Sequence, residues 1–312
     1  MNKPSLPQSV GRVSQRPPQA SAVQSGQPIV ASAVNIRTSF NHLTTLRWSL
    51  VEEVLELKKS NYDAIGLWRP KIAEIGEELA ADLIRDAGLA VSSLSFVGGF
   101  TGTNGLSFDD AIADARDAIK DAELLGAENL IVVSGPRNGH TVRHSRRILG
   151  VALDELADFA GSRGVRLCVL PMHQYFSKSW TFLNTLDETL EVLSERNHPA
   201  VGLAFDAYQS WQEPNLIERI PEFAAMTGVV QISDAQRAPH SSAERCIPGD
   251  GVIPLTEIIR AFQTAGFDGY YDVQVWSNTG WAADYAVAVS QCREAVLRVA
   301  GQPVAMTRQR LS

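Results

Sequence analysis

Three apolar runs of this chain end in side chains that could do chemistry. They read Leu170-Pro171-Met172-His173, Asp206-Ala207-Tyr208-Gln209 and Gln231-Ile232-Ser233-Asp234, and a fourth reads Asp272-Val273-Gln274. A carboxylate can hold a cation or take a proton, and an imidazole titrates near neutrality unaided. A carboxamide offers only neutral donors and acceptors, so a ring of Gln209, Gln231 and Gln274 would bind hydroxyls well and move protons poorly. Acid/base work would therefore fall to His173 and Asp206, our catalytic candidates. Substrate contacts are expected from Trp68, Gln209, Gln231, Asp234, Arg245 and Gln274.

These residues need a scaffold that brings strand ends together. From residue 31 onward, short β-rich apolar runs alternate with stretches whose apolar positions recur near the helical period. The strand candidates are Ala33–Thr38, Tyr62–Leu67, Ala90–Ser95, Asn129–Ser134, Val165–Leu170, Ala200–Phe205, Gly228–Ser233 and Gly269–Trp276. Helical stretches include Ser49–Lys59, Phe108–Leu125 and Arg146–Ala160. Ser49, Asp109 and Ser145 are candidate caps at their starts, and Gly88, Gly126, Gly164 and Gly266 fit left-handed terminators. Eight such units without a Gly-rich phosphate turn after the first strand predict a (β/α)8 TIM barrel rather than an open doubly wound sheet. In a barrel, function sits on the loops after the strands, where these polar residues fall.

Composition narrows the partners. The chain has 312 residues, 45% hydrophobic, with a formal net charge of -7 and no block of Lys and Arg. That balance argues against a nucleic-acid footprint or an anionic membrane surface, and leaves a small molecule or another protein. The three cysteines, Cys168, Cys246 and Cys292, are too dispersed for a zinc site or a disulfide framework and fit a reducing compartment. With no long apolar run, a cytoplasmic protein is expected. Residues 1–30, rich in Pro, Ser and Gln, read as a disordered tail before a barrel domain over residues 31–312.

Several pieces together resemble the xylose isomerase-like TIM barrel superfamily of sugar phosphate isomerases and epimerases. They are Tyr62-Asp63-Ala64-Ile65-Gly66-Leu67-Trp68-Arg69, Gly88-Leu89-Ala90-Val91-Ser92-Ser93-Leu94, Leu170-Pro171-Met172-His173, Phe205-Asp206-Ala207-Tyr208-Gln209-Ser210-Trp211 and Ile247-Pro248-Gly249-Asp250-Gly251. The resemblance implies a sugar or polyol ligand and proton transfer beside its carbonyl. It also implies a manganese or magnesium ion held by Glu, Asp, His and Glu from the fifth to eighth strands, as suits hard cations. Related barrels often pair through their open faces, so a homo-oligomer is also implied.

The ligand set is degenerate here. Leu170 stands where the first Glu would be, Gln231 where His is often found, and Gln274 where the last Glu would be; Asp206 is the acid that remains. Each carboxylate lost removes on the order of 10 kcal/mol of gross attraction to a dication at an effective dielectric of about 20. Two functions stay open. One is an isomerase or epimerase of the sugar phosphate type, with a reduced metal site at Asp206 or metal-free proton transfer by His173 and Asp206. The other is a catalytically inactive relative that binds a carbohydrate-like ligand or a protein partner.

Other residues keep two readings each. Glu244, Arg245 and Asp250 could form an ion pair that staples the seventh loop instead of a substrate contact. The basic stretch Arg137, His140, Arg143, His144, Arg146 and Arg147 could attract an anion or simply be solvated. Trp68, Phe96, Phe100, Tyr208 and Trp211 could wall the pocket or pack the core.

Overall fold

A computed structural model describes residues 35–103, 105–241, 244–277 and 284–303. The tail expected over residues 1–30 lies outside the described residues. Eight parallel strands close into one barrel in sequential order. They are β1 (Arg37–Asn41), β2 (Ala64–Trp68), β3 (Ala90–Gly98), β4 (Asn129–Val133), β5 (Arg166–Val169), β6 (Val201–Asp206), β7 (Thr227–Ile232) and β8 (Tyr270–Val273). Closure is made by β1 against β8, with Arg37 opposite Tyr270 and Phe40 opposite Val273.

The connecting helices are α1 (Leu50–Lys59), α2 (Arg69–Ala73), α3 (Glu77–Ala87), α4 (Phe108–Leu125), α5 (Val142–Gly161), α6 (Leu186–Arg196), α7 (Ala207–Ser210), α8 (Leu216–Phe223), α9 (Leu255–Thr264) and α10 (Tyr285–Val299). Among the described residues no helix is long and apolar enough to cross a membrane.

Local chemistry explains the boundaries. Ser49 caps α1 in a reciprocal box with Glu52, and Gly88 and Gly126 end α3 and α4 in the left-handed region that costs glycine least. The caps expected at Asp109 and Ser145 fall elsewhere. Ser107 caps α4, its hydroxyl accepting from the Asp110 N–H, which leaves Asp109 in the first turn. Thr141 caps α5, so that helix starts four residues before the expected Arg146 and Ser145 is buried inside it. At the closing seam, β1 runs to Asn41 rather than ending at Thr38, because its register is set by β8. β8 pairs only to Val273.

The strands alternate between two apolar environments. Leu130, Val132, Leu167, Val169, Leu203 and Phe205 join the main core with the helices. Ile131, Val133, Cys168, Leu170, Ala204 and Val229 form a separate cluster on the opposite, inward face. The inward series continues by steps of two to Asp206 on β6 and Gln231 on β7, and from Asp272 on β8 to Gln274 just past its end. One face of the sheet therefore carries an apolar lumen and the polar residues above it.

Candidate functional site

The polar strand ends converge. Asp206, Gln209, Gln231, Arg245 and Gln274 line one cavity of about 520 Å³ at the C-terminal mouth of the barrel, together with Trp68. Within this wall Asp206 is not free. Its Oδ1 accepts from Arg245 Nη1 at 3.1 Å and its Oδ2 from Nη2 at 2.7 Å. Arg245 and Asp206 are only 4% and 1% exposed. Oδ1 also accepts from the Tyr208 N–H at 2.9 Å, so Asp206 caps the short helix α7.

The loop after β7 is built to deliver Arg245. The Arg245 N–H donates to the Trp276 carbonyl at 3.1 Å, and the next residue, Cys246, exchanges backbone hydrogen bonds with Asp234. The guanidinium lies 4.5 Å from the centroid of the Tyr208 ring and donates to the Ser233 hydroxyl at 3.2 Å. Tyr208 is itself held, its hydroxyl donating to the Ser241 carbonyl at 2.7 Å, and burial pushes its phenol up to about 12. Arg245 thus pairs across the mouth with Asp206, not with Glu244 or Asp250. Glu244 instead faces His240 and Arg237.

Asp234, expected as a substrate contact, is occupied elsewhere and does not line the cavity. Its carboxylate accepts the backbone N–H groups of Ala235, Gly249 and Ile253 at 2.8 to 2.9 Å. The surrounding Pro-Gly-Asp-Gly segment serves that staple. Gly249 has φ +88°, and a Cβ at Gly251 would sit 2.3 Å from both the Ala235 carbonyl and Asp234 Oδ1.

His173 is also placed apart from the cavity lining. Its Nδ1 accepts from the Tyr175 N–H at 3.3 Å, capping a short turn, and its backbone N–H donates to Gln209 Oε1 at 3.0 Å. Burial lowers its imidazole pKa. Through its ring nitrogen and its backbone N–H, His173 helps to hold the loop after β5.

Of the expected aromatic wall, Trp68 and Phe96 line the cavity, with Trp180 and Trp276 beside them. Phe100 and Tyr208 are fully buried and Trp211 packs against the core. The basic stretch lies outside the cavity: Arg137, Arg143 and Arg147 are exposed and Arg146 pairs with Glu191.

A buried network next to the mouth was missed at the sequence level. His42 follows β1, and its Nδ1 accepts from the Trp68 N–H at 3.1 Å. The opposite nitrogen, Nε2, faces Glu53 Oε2 at 3.1 Å. Lys71 Nζ donates to Glu53 Oε2 at 2.7 Å and to the Thr45 carbonyl at 3.2 Å. Burial, then the Lys71 charge, hold the His42 imidazole well below its ordinary pKa, while burial raises the Glu53 carboxyl. The readable signal was Glu53 on the apolar stripe of α1, between Leu50, Val54 and Leu57.

Deeper in the lumen, Asp272 is fully buried. Its Oδ2 accepts from Asn41 Nδ2 at 2.7 Å, and the Ser39 side chain is a further hydrogen-bonding neighbour. Burial raises its carboxyl to about 6. Gly66 makes room for this pair, since a Cβ there would lie 2.7 Å from Asp272 Oδ2.

A divalent cation does not fit the donors at the mouth. The one carboxylate among the four expected ligand positions is already bidentate to a guanidinium, which would repel a dication. Leu170 offers no donor, and Gln231 and Gln274 only neutral ones. Among the described residues their amide oxygens are buried without partners. Among the described residues no three of His, Cys, Asp and Glu gather as a metal site.

Comparison with known proteins bears on the scaffold. No curated protein matches the chain by sequence. Protein SMc04130 from Sinorhizobium meliloti 1021 superposes with a TM-score of 0.79 at 28% identity, covering 86% of this chain and 99% of that one. The IOLI protein with a binding zinc atom gives 0.75 at 18% identity, over 87% and 100% of the two chains. A D-allulose 3-epimerase from Methylomonas sp. gives 0.70 at 19%, over 85% and 98%. At these last two identities the likeness speaks for the fold alone. The sequence profile of the xylose isomerase-like TIM barrel matches residues 54–294. With that match over most of a closed eight-stranded barrel, the chain belongs to the xylose isomerase-like TIM barrel family.

Proposed function

We propose that the barrel mouth binds a neutral, hydroxylated, sugar-like ring, and does so without the metal-assisted proton transfer implied by the family resemblance. The observation that carries this reading is the bidentate Asp206–Arg245 pair. Both oxygens of that carboxylate are taken up by the guanidinium, and the same positive charge would oppose a cation brought to them. Beside it, the carboxamides of Gln231 and Gln274 line the cavity with unpartnered oxygens, the neutral acceptors that hydroxyl groups satisfy. Trp68 supplies a flat apolar surface to the ring, and Gln209 holds the β5 loop at the rim. The sugar epimerases among the structural neighbours support a sugar-sized ligand.

His173 and Asp206 are thereby reassigned from acid/base work to positioning. The test is calorimetry against a library of neutral sugars and polyols, followed by incubation of each binder with the protein in deuterium oxide. Binding without deuterium incorporation at any carbon is the expected result. Protein-dependent incorporation beside a carbonyl would restore the isomerase reading.

A further inference from the structure

Resting on that reading, we infer that the ligand is amphipathic: a neutral molecule with its hydroxylated ring against β6–β8 and a flat apolar group against β3–β5. The cavity is divided in this way by the strand ends themselves. On one side stand Asp206, Gln231 and Gln274; on the other, Phe96, Ile131, Val133, Leu170, Met172 and Trp180. The second set belongs to the inward-facing apolar cluster that is separate from the main core. Phe96 and Trp180 meet edge to face with ring centroids 5.5 Å apart, leaving an aromatic corner against which a further flat group can pack. A free sugar, polar around its rim, would leave this half of the cavity in contact with water or with unsatisfied hydroxyls.

The charges at the cavity argue against a phosphorylated sugar. Among the described residues, the charged ones lining the cavity are two arginines and three carboxylates: Arg69 and Arg245 against Glu77, Asp121 and Asp206. Both arginines are already bidentate to acids, Arg69 to Asp114 at 2.9 and 2.8 Å and Arg245 to Asp206. Burial, and then the nearby Glu77, raise the Asp121 carboxyl, which marks the rim as a place where added negative charge is disfavoured.

The experiment is titration calorimetry of the full chain with three matched series: D-glucose, D-galactose and D-mannose, their phenyl glycosides, and their 6-phosphates. The expected result is that at least one phenyl glycoside binds about tenfold or more tighter than its parent hexose, and that no 6-phosphate binds tighter than its hexose. Trp180→Ala should then bring that ratio towards one. Hexoses binding as tightly as their phenyl glycosides throughout would overturn the inference while leaving the sugar-binding reading standing. A 6-phosphate as the tightest ligand would overturn it on charge. No binding by any member would overturn both.

Discussion

The Asp206 carboxylate lies 2.7 Å, Oδ2 to Nη2, from the guanidinium of Arg245, a residue thirty-nine positions later that reaches it from the loop after β7. Desolvating two charges costs several kcal/mol per ion, which a bidentate geometry with further hydrogen bonds offsets. Tyr208 N–H and Ser233 Oγ supply those bonds. Breaking one side of such a pair strands the other. Arg245→Gln is therefore expected to lose about 3–5 kcal/mol of unfolding free energy. The double variant Asp206→Asn with Arg245→Gln should lose less than the two single changes added together. Urea unfolding of the four proteins checks this, and additive losses would show that the pair is not coupled.

Asp272 makes stability depend on pH. Its folded-state value of about 6 lies above the ordinary 3.8, so the folded chain binds this proton more tightly than the unfolded one. The sign follows: its contribution is greatest below about pH 4 and falls as pH rises through 6, reaching a penalty of about 3 kcal/mol at neutrality. His42 acts oppositely, losing stability as pH falls below its ordinary value, because its folded-state pKa is lowered. The informative quantity is thus the difference between wild type and Asp272→Asn. Between pH 8 and pH 5 the wild type should gain about 1.4 kcal/mol relative to the variant. Parallel pH profiles would contradict the assignment.

Glu53 sits between two buried nitrogen groups, and its loss should be felt at Trp68 through His42. Glu53→Gln removes the charge opposite Lys71, and about 3 kcal/mol is expected to go with it. A Lys71→Met, Glu53→Gln double variant should recover part of that, since no charge is left buried alone. Chemical denaturation measures both, and a double variant weaker than Glu53→Gln would contradict this account.

Much of the scaffold was legible because a parallel barrel writes itself as apolar runs separated by amphipathic stretches. The strand ends at Asp206, Gln231 and Gln274 were placed by that pattern, and they do share one cavity. The partner of Asp206 was not legible. Arg245 lies in a loop without periodicity, and only the backbone pairing of Cys246 with Asp234 and of Arg245 with Trp276 turns its side chain across the mouth. His173 and Asp234 show a related limit of the sequence pattern. Polar residues just past a strand serve loops as readily as ligands, and hydrogen bonds to backbone N–H groups decide between the roles.

The loop staple makes its own prediction. Gly251→Ala would press a methyl group onto the Ala235 carbonyl, backbone that cannot step aside cheaply. Overpacking of this kind costs about 1–3 kcal/mol, and here it should loosen the segment that carries Arg245. Limited proteolysis should cut the variant within residues 236–250 faster than the wild type; equal rates would place the strain elsewhere.

Arg245, not a metal ion, is the cation facing Asp206. Elemental analysis of wild-type protein, Asp206→Asn and Arg245→Gln, after equilibration with manganese, magnesium and zinc and extensive dialysis, tests this. The wild type should retain far less than one equivalent of any metal, with no loss in Asp206→Asn. One equivalent retained by the wild type and lost in Asp206→Asn would contradict it.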